Sequence, residues 1–156
     1  MLLAPLLATA ALTVGWAVPA HATTARQLDV VLVTQLTDWS VSFPQGTTYT
    51  GSGVGTDQQL WDFTETYTFN HGSAFGTFSM QAGADSLSGR VQMTPRMTPF
   101  IQVGTSGDWA YTVTEGRGAY AGCTGLGTGV KEGVTTPSAP PTGVAASEIS
   151  FDLTCP

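Results

Sequence analysis

The chain has 156 residues and a net charge of −6, from 11 acidic and 5 basic side chains. It contains no run of lysine or arginine, which argues against binding to nucleic acid or to an anionic membrane surface. The acidic residues are scattered singly, as on a solubilising surface, and form no tract that would collect cations. The length suits one domain with a hydrophobic core.

Residues 1–22 have the composition of a secretory signal peptide. They are mainly apolar, carry no charged side chain, and end in Ala20-His21-Ala22, a small-x-small cleavage sequence. Cleavage before Thr23 would leave a single domain over residues 23–156, secreted to the extracellular space and with no membrane segment. The alternative is a retained membrane anchor, which Pro5 and Pro19 disfavour.

Cys123 and Cys155 are the only two cysteines. Cysteines of an exported chain usually pair, so we expect one disulfide between them. In the chain-entropy model, a loop of this size stabilises the fold by about 3–4 kcal/mol. The bond would also keep the last strand from fraying. The alternative is a free, reactive thiol.

Residues 23–156 show strand-like alternation and turn residues but no sustained helical period, which predicts an all-β fold. The first predicted strand is the nearly continuous apolar run 28–36, as in a strand buried on both faces. A short strand is predicted at 39–43, with Trp39 on its apolar face. Residues 44–59 are polar and glycine-bearing, which predicts a long connection.

The clearest strand is predicted at 61–70, where one face carries Trp61, Phe63, Glu65, Tyr67 and Phe69. A turn at 71–73 and a returning strand at 74–81 complete a hairpin. Further strands are predicted at 86–94, 107–114, 125–129 and 147–155, with a proline-rich loop at 135–143. A total of about eight short strands is typical of a sandwich or an antiparallel barrel.

Six of the fourteen residues from Gly116 to Gly129 are glycine. A dinucleotide-binding loop would require a helix directly after it, which the later glycines oppose. A flexible linker has no reason to keep the strict alternation of Gly125, Gly127 and Gly129. The sequence therefore predicts a strand with one bare face, against which a ligand or the rings of strand 61–69 would lie.

The same segment resembles the GTGxYxGxxGxG motif of the allene oxide cyclase barrel-like family. The matching residues are Trp109, Gly116, Gly118, Tyr120, Gly122, Gly125 and Gly127. The family includes plant allene oxide cyclases, dirigent proteins and small secreted actinobacterial proteins, and the last group is the most similar. The resemblance covers about residues 105–130, and it departs at Arg117, where threonine is usual, and at Cys123, where an apolar residue is usual.

The resemblance implies an eight-stranded antiparallel β-barrel with a central cavity, in which the motif glycines and Tyr120 are structural. Cyclases of this type fold a reactive acyclic substrate in the cavity, and dirigent proteins orient radical partners there. Dirigent-like proteins often associate through their outer faces, so the resemblance also implies a homo-oligomer. The catalytic residues of the plant enzymes lie outside the matching stretch, and none is transferred to this chain.

Glu65 is the candidate catalytic residue, because it interrupts an aromatic face in the middle of a strand. Inside a barrel its carboxylate would be withdrawn from water, as suits a general acid or base. The alternatives are an ion pair with Arg90 or Arg117, or a face turned to solvent. The candidate ligand-binding residues are Trp61, Phe63, Tyr67, Phe69, Trp109 and Tyr111, which would equally form a core.

Metal binding and Ser-His-Asp catalysis are not expected, since His71 is the only histidine after cleavage. No cofactor is indicated either. The preferred function is non-catalytic binding of a small hydrophobic molecule inside the barrel. The first alternative is a cofactor-free cyclase or isomerase of the allene oxide cyclase type, with Glu65 transferring protons. The second alternative is a surface interaction module that uses the proline-rich loop.

Overall fold

The computed structural model describes residues 22–39, 46–70, 73–95, 107–136 and 142–156. Eight antiparallel strands follow one another around a closed barrel, and the last strand pairs with the first. The strands are β1 (Thr24–Trp39), β2 (Gly46–Gly55), β3 (Leu60–Asn70), β4 (Ser73–Ala82), β5 (Asp85–Pro95), β6 (Gly107–Arg117), β7 (Thr124–Thr136) and β8 (Thr142–Cys155). The predicted eight-stranded antiparallel barrel is confirmed.

Side chains alternate between the barrel interior and solvent along each strand, as the period of a β-strand requires. In β3, Trp61, Phe63, Glu65 and Tyr67 are buried, while the residues between them are exposed. The predicted face of strand 61–70 is therefore the interior face. Across the described ranges, no helix is long and apolar enough to cross a membrane.

The prediction that 28–36 is buried on both faces is wrong. Leu28, Val30 and Leu32 are buried in the interior, but Val31 and Val33 are each 60% exposed on the outside. A barrel made of one sheet has a single interior, so the other face of every strand meets solvent. Valine favours extended backbone wherever it stands, which is why an apolar run need not be buried on both faces.

The prediction that 44–59 is a connection is also wrong, because 46–55 forms β2 between β1 and β3. Gly51, Gly53 and Gly55 take inward positions along it. A Cβ on Gly51 would lie 2.0 Å from the Val33 carbonyl oxygen, and one on Gly53 would lie 1.9 Å from that of Val31. Only glycine permits this approach of two backbones.

Other predicted segments fall partly outside the described residues. Of 39–43, only Trp39 is described, as the last residue of β1. Of the predicted loop 135–143, residues 135–136 end β7 and 142–143 begin β8. The predicted signal peptide, apart from Ala22, and the histidine of the 71–73 turn lie outside the described ranges.

The strands are joined at two opposite ends of the barrel. At one end, which we call the turn end, β1 begins, β8 finishes, and residues 56–59, 83–84 and 118–123 join the strands. At the opposite end, which we call the loop end, β1, β3, β5 and β7 finish and their successors begin. The segments between them, 40–45, 71–72, 96–106 and 137–141, lie outside the described residues.

Buried side chains and a disulfide close the turn end. The Tyr120 ring packs edge-on against Trp61, with 5.5 Å between ring centroids. The Arg26 guanidinium stacks 3.7 Å from the centre of the Tyr120 ring. Cys123 and Cys155 form the expected disulfide, which joins the start of β7 to the end of β8.

The glycines of 116–129 serve two purposes. Gly118 and Gly122 have φ angles of +65° and +73°, a backbone conformation that favours glycine, in the turn between β6 and β7. Gly125, Gly127 and Gly129 lie on β7, where the predicted bare strand face is confirmed.

The rings that lie against this bare face come from β8 and β6. A Cβ on Gly127 would stand 2.6 Å from the Phe151 ring, and one on Gly129 would stand 3.2 Å from the Tyr111 ring. The prediction that rings of strand 61–69 would lie there is wrong. Trp61 lies instead against Gly55 of β2, whose Cβ would be 3.0 Å from the indole nitrogen. The tilt of barrel strands brings residues of neighbouring strands, and not those of a distant strand, over each bare position.

Candidate functional site

Glu65 is completely buried and belongs to an ion pair inside the barrel. Lys131 Nζ donates a hydrogen bond to Glu65 Oε1 at 2.5 Å, and the Lys131 side chain is only 1% exposed. The Tyr111 hydroxyl donates to the other carboxylate oxygen, Oε2, at 3.1 Å. Strand β3 therefore contributes a carboxylate, β6 a phenol and β7 an amine, and the three groups are joined by hydrogen bonds inside the barrel.

Three aromatic rings lie near the Lys131 ammonium. Its Nζ lies 4.0 Å from the centre of the Trp109 ring, 5.0 Å from Tyr49 and 5.8 Å from Tyr67. A ring face attracts a cation, and the attraction grows when water is excluded. The rings also contact one another, since Tyr67 meets Trp109 edge-on at 5.1 Å and stacks with Tyr49 at 6.0 Å.

Burial shifts the pKa values of these groups away from their ordinary values. Burial lowers the pKa of Lys131, and the nearby Glu65 carboxylate opposes that shift. Burial raises the pKa of Tyr111, and the negative charge of Glu65 raises it further. The pKa of Tyr67 is also raised, mainly by burial. The phenols therefore stay protonated at neutral pH and can donate hydrogen bonds.

Three buried polar atoms in the loop-end half of the barrel have no hydrogen-bond partner within the described part of the chain: Thr47 Oγ1, Trp109 Nε1 and Ser147 Oγ. Ser147 stands directly opposite Lys131 in the β7–β8 pairing, and Thr47 stands opposite Tyr67 in the β2–β3 pairing. We call Thr47, Tyr49, Glu65, Tyr67, Trp109, Tyr111, Lys131 and Ser147 the loop-end cluster. It combines a balanced charge pair, aromatic rings and unpaired donors in one part of the interior.

The predicted site residues divide between this cluster and the rest of the core. Glu65, Tyr67, Trp109 and Tyr111 belong to the cluster. Trp61 is buried at the turn end, where its indole nitrogen donates to Asp57 at 3.2 Å. The Phe63 ring is also buried and stacks with Phe78 at 6.4 Å. The side chain of Phe69 lies outside the described residues.

The alternative partners considered for Glu65 are wrong. Arg90 is exposed on the outer face of β5. Arg117 pairs with Glu115 on the outside of β6, with 2.7 Å between their charged atoms. Arg90 has an outward position in the alternation of β5, and Arg117 follows the irregularity in the β5–β6 pairing, after which the alternation of β6 is broken.

Four members of the cluster were not found from the sequence: Thr47, Tyr49, Lys131 and Ser147. A signal for Lys131 was present, because it continues the period-two series of Gly125, Gly127 and Gly129 and must share their inward face. Tyr49 and Thr47 likewise precede the glycine series of β2. The assignment of 44–59 as a connection concealed that alternation.

A groove of about 700 Å³ lies on the outside of the barrel, where it crosses β1, β8, β7, β6 and β5. Its outward-facing lining includes Asp29, Asp108, Val130 and Glu148, with no lysine or arginine. The groove carries acidic and apolar surface, whereas the interior holds the buried charge pair, the unpaired donors and the aromatic rings. The interior is therefore the stronger candidate for specific recognition.

In comparisons with known proteins, no protein-family model matches this chain, and no curated protein is significantly similar to it. Within the ranges that the structure describes, no three His, Cys, Asp or Glu side chains are grouped closely enough to hold a metal ion.

Proposed function

We propose that this protein is an exported binding protein that holds a small, mainly apolar molecule against the loop-end cluster. The observation that carries the proposal is the buried Glu65–Lys131 pair enclosed by Trp109, Tyr49 and Tyr67. A buried ion pair stabilises a fold less than well-packed apolar side chains of similar volume would. Its presence among aromatic rings is therefore better explained by recognition than by stability.

Export is the second part of the proposal. The apolar, uncharged N-terminal segment supports it, as does the Cys123–Cys155 disulfide, which is the kind of bond that persists in oxidising compartments. The resemblance of the glycine-rich segment to the allene oxide cyclase barrel-like family, in its secreted bacterial branch, supports both the export and the use of the barrel interior.

Tryptophan emission of the chain 23–156 tests binding. We expect isopropylbenzene and methylcyclohexane to change the emission saturably, and Trp109→Phe to remove that change, because Trp109 belongs to the loop-end cluster. Trp61→Phe is the matched control, since Trp61 lies at the turn end, and it should keep the response. A linear, unsaturable change with both molecules, or the same response in Trp109→Phe, would contradict the proposal.

A second candidate function is a cofactor-free isomerase in which Glu65 transfers protons. The observation that favours it is the contact of Glu65 with two groups that can carry protons, the Tyr111 hydroxyl and Lys131 Nζ. Exchange of the methyl hydrogens of acetophenone for deuterium in D₂O measures this ability without a known substrate. Catalysed exchange that Glu65→Gln abolishes would support the isomerase, and a rate equal to that of buffer alone would exclude this activity toward the ketone.

A further inference from the structure

The unpaired donors of the loop-end cluster indicate the chemistry of the bound molecule. The Trp109 indole nitrogen can only donate a hydrogen bond, whereas the Ser147 hydroxyl can donate or accept. Both atoms are buried and have no partner among the described residues. Native proteins leave few buried polar atoms without a partner, so two in one region call for a partner that the described residues do not supply.

These two donors flank the same charged group. The Trp109 ring lies 4.0 Å from Lys131 Nζ, and Ser147 is the cross-strand neighbour of Lys131. A group that accepts hydrogen bonds from both would therefore lie in the part of the interior that holds the ammonium. A carbonyl oxygen has two lone pairs and can accept one hydrogen bond from each of two donors.

The charge of the site distinguishes a neutral acceptor from an anionic one. Lys131 already has its counter-ion, because Glu65 accepts its hydrogen bond at 2.5 Å. A second carboxylate would leave the interior with one unbalanced negative charge, which is costly to bury. A neutral carbonyl adds no charge, and the positive side of the ion pair still polarises it.

We propose that the bound molecule carries a neutral carbonyl group, whose oxygen accepts hydrogen bonds from Trp109 Nε1 and Ser147 Oγ while its apolar body lies against the rings of the loop-end cluster. This inference rests on the proposed binding function and specifies its ligand class. It excludes free carboxylic acids as the preferred class, because they are ionised at neutral pH.

Three molecules of nearly the same shape test the inference: acetophenone, which has a neutral carbonyl, isopropylbenzene, which has no acceptor, and benzoate, which is an anion. Indole N–H signals in ¹H–¹⁵N spectra report the contact directly. We expect acetophenone to shift the Trp109 indole proton downfield, isopropylbenzene to shift it little, and benzoate to bind at least tenfold more weakly. The Trp61 signal is the internal control, since its N–H is already bonded to Asp57.

Ser147→Ala provides an independent readout. We expect it to weaken acetophenone binding about fivefold, the value of one net hydrogen bond, and to leave isopropylbenzene binding unchanged. The substitution also removes an unpaired buried hydroxyl, so the midpoint of thermal unfolding of the free protein should stay the same or rise. Ser79→Ala, on the exposed outer face of β4, is the matched control and should change neither quantity.

The outcomes separate the ligand class from the binding function. If isopropylbenzene binds as tightly as acetophenone and Ser147→Ala has no effect, the carbonyl inference is overturned while binding stands. Tighter binding of benzoate than of acetophenone overturns it as well. If none of the three molecules binds, the proposed binding function itself fails.

Discussion

The polar groups at the two ends of the barrel interior differ in their hydrogen bonding. At the turn end, Asp57 accepts hydrogen bonds from Tyr120 at 2.8 Å, from Trp61 at 3.2 Å, and from the backbone and side chain of Gln59, both at 3.2 Å. In the loop-end cluster, by contrast, Thr47, Trp109 and Ser147 keep buried polar atoms without partners in the described chain.

This difference indicates which end uses its polar groups to stabilise the fold and which end leaves polar groups without partners. A satisfied network rigidifies its surroundings, and here it is supported by the Cys123–Cys155 disulfide and the Arg26–Tyr120 stack. Unsatisfied donors beside a buried charge pair cost stability and are retained where another molecule supplies the missing partners. The turn end is therefore structural, and the loop-end cluster is the part that we propose binds a ligand.

The largest expected effect comes from splitting the buried pair. Glu65→Gln or Lys131→Met alone should lower the free energy of unfolding by about 3–5 kcal/mol, because each leaves an uncompensated buried charge or an unpaired partner. The double variant should recover most of that loss, because neither charge remains. Denaturant unfolding of the four proteins measures the coupling.

The exposed pair Glu115–Arg117 is the matched control for this cycle, with 2.7 Å between its charged atoms. Glu115→Gln and Arg117→Met should each change the unfolding free energy by less than about 1 kcal/mol, as is usual for pairs in water. Equal changes in unfolding free energy at the two pairs would contradict the expectation that a buried charge pair is more costly to split than an exposed one.

The disulfide tests the structural role of the turn end. Replacing Cys123 and Cys155 together by serine should lower the free energy of unfolding by about 3–4 kcal/mol, because the 32-residue loop is then free in the unfolded chain. The Trp109 indole signal in the loop-end cluster should keep its position. A loss below about 1 kcal/mol would contradict the structural role of the disulfide, and a displaced Trp109 signal would show that the two ends are not independent.

Asp57 gives the turn end a defined dependence on pH. Burial acts to raise the pKa of its carboxyl, but the hydrogen bonds from Tyr120, Gln59 and Trp61 outweigh that effect and hold the pKa below its ordinary value. A lowered pKa means that the carboxylate stabilises the fold above about pH 4 and that this contribution disappears as the pH falls through the folded-state value.

The variant Asp57→Asn should therefore reduce the loss of stability between pH 5 and pH 2 relative to the parent protein. Tyr120→Phe, which removes one donor to Asp57, should reduce it by a smaller amount. Thermal unfolding across this pH range measures both. If Asp57→Asn lost more stability than the parent protein as the pH falls, this result would contradict a lowered pKa of Asp57.

The last expected effect concerns the bare face of β7. Gly127→Val should cost about 1–3 kcal/mol, because a Cβ there would stand 2.6 Å from the Phe151 ring and must displace it. Gly46→Ala, where a Cβ meets no atom within 4 Å, is the control and should be nearly neutral. Similar losses of stability at both positions would show that β-propensity, and not contact with the Phe151 ring, determines the cost of replacing the glycine.

Strict alternation made the main parts of the fold predictable. The aromatic face of β3 and the glycine face of β7 both keep period two, and this period fixes which side chains face inward. The cysteine pair was predictable because only two are present. The apolar run that includes Val31 and Val33 was wrongly predicted to be buried on both faces, because hydrophobicity alone does not distinguish an interior face from a valine-rich outer face.

The site was predictable only in part, for a physical reason. Glu65 stood out as a charge within an aromatic face, but its partner comes from a strand 66 residues further along the chain. Alternation assigns a residue to the interior without saying at which height in the barrel it lies, since that depends on strand register. Lys131 and Ser147 could have been assigned to the interior, but their position next to each other could not have been predicted.

In the proposed binding function, the loop-end cluster keeps unpaired donors for a ligand at a cost to the stability of the free protein. The most direct measurement compares Ser147→Ala with the parent protein in both unfolding free energy and acetophenone affinity. We expect the free energy to be unchanged or higher and the affinity to fall about fivefold. A less stable variant that binds acetophenone as tightly as the parent protein would contradict the claim.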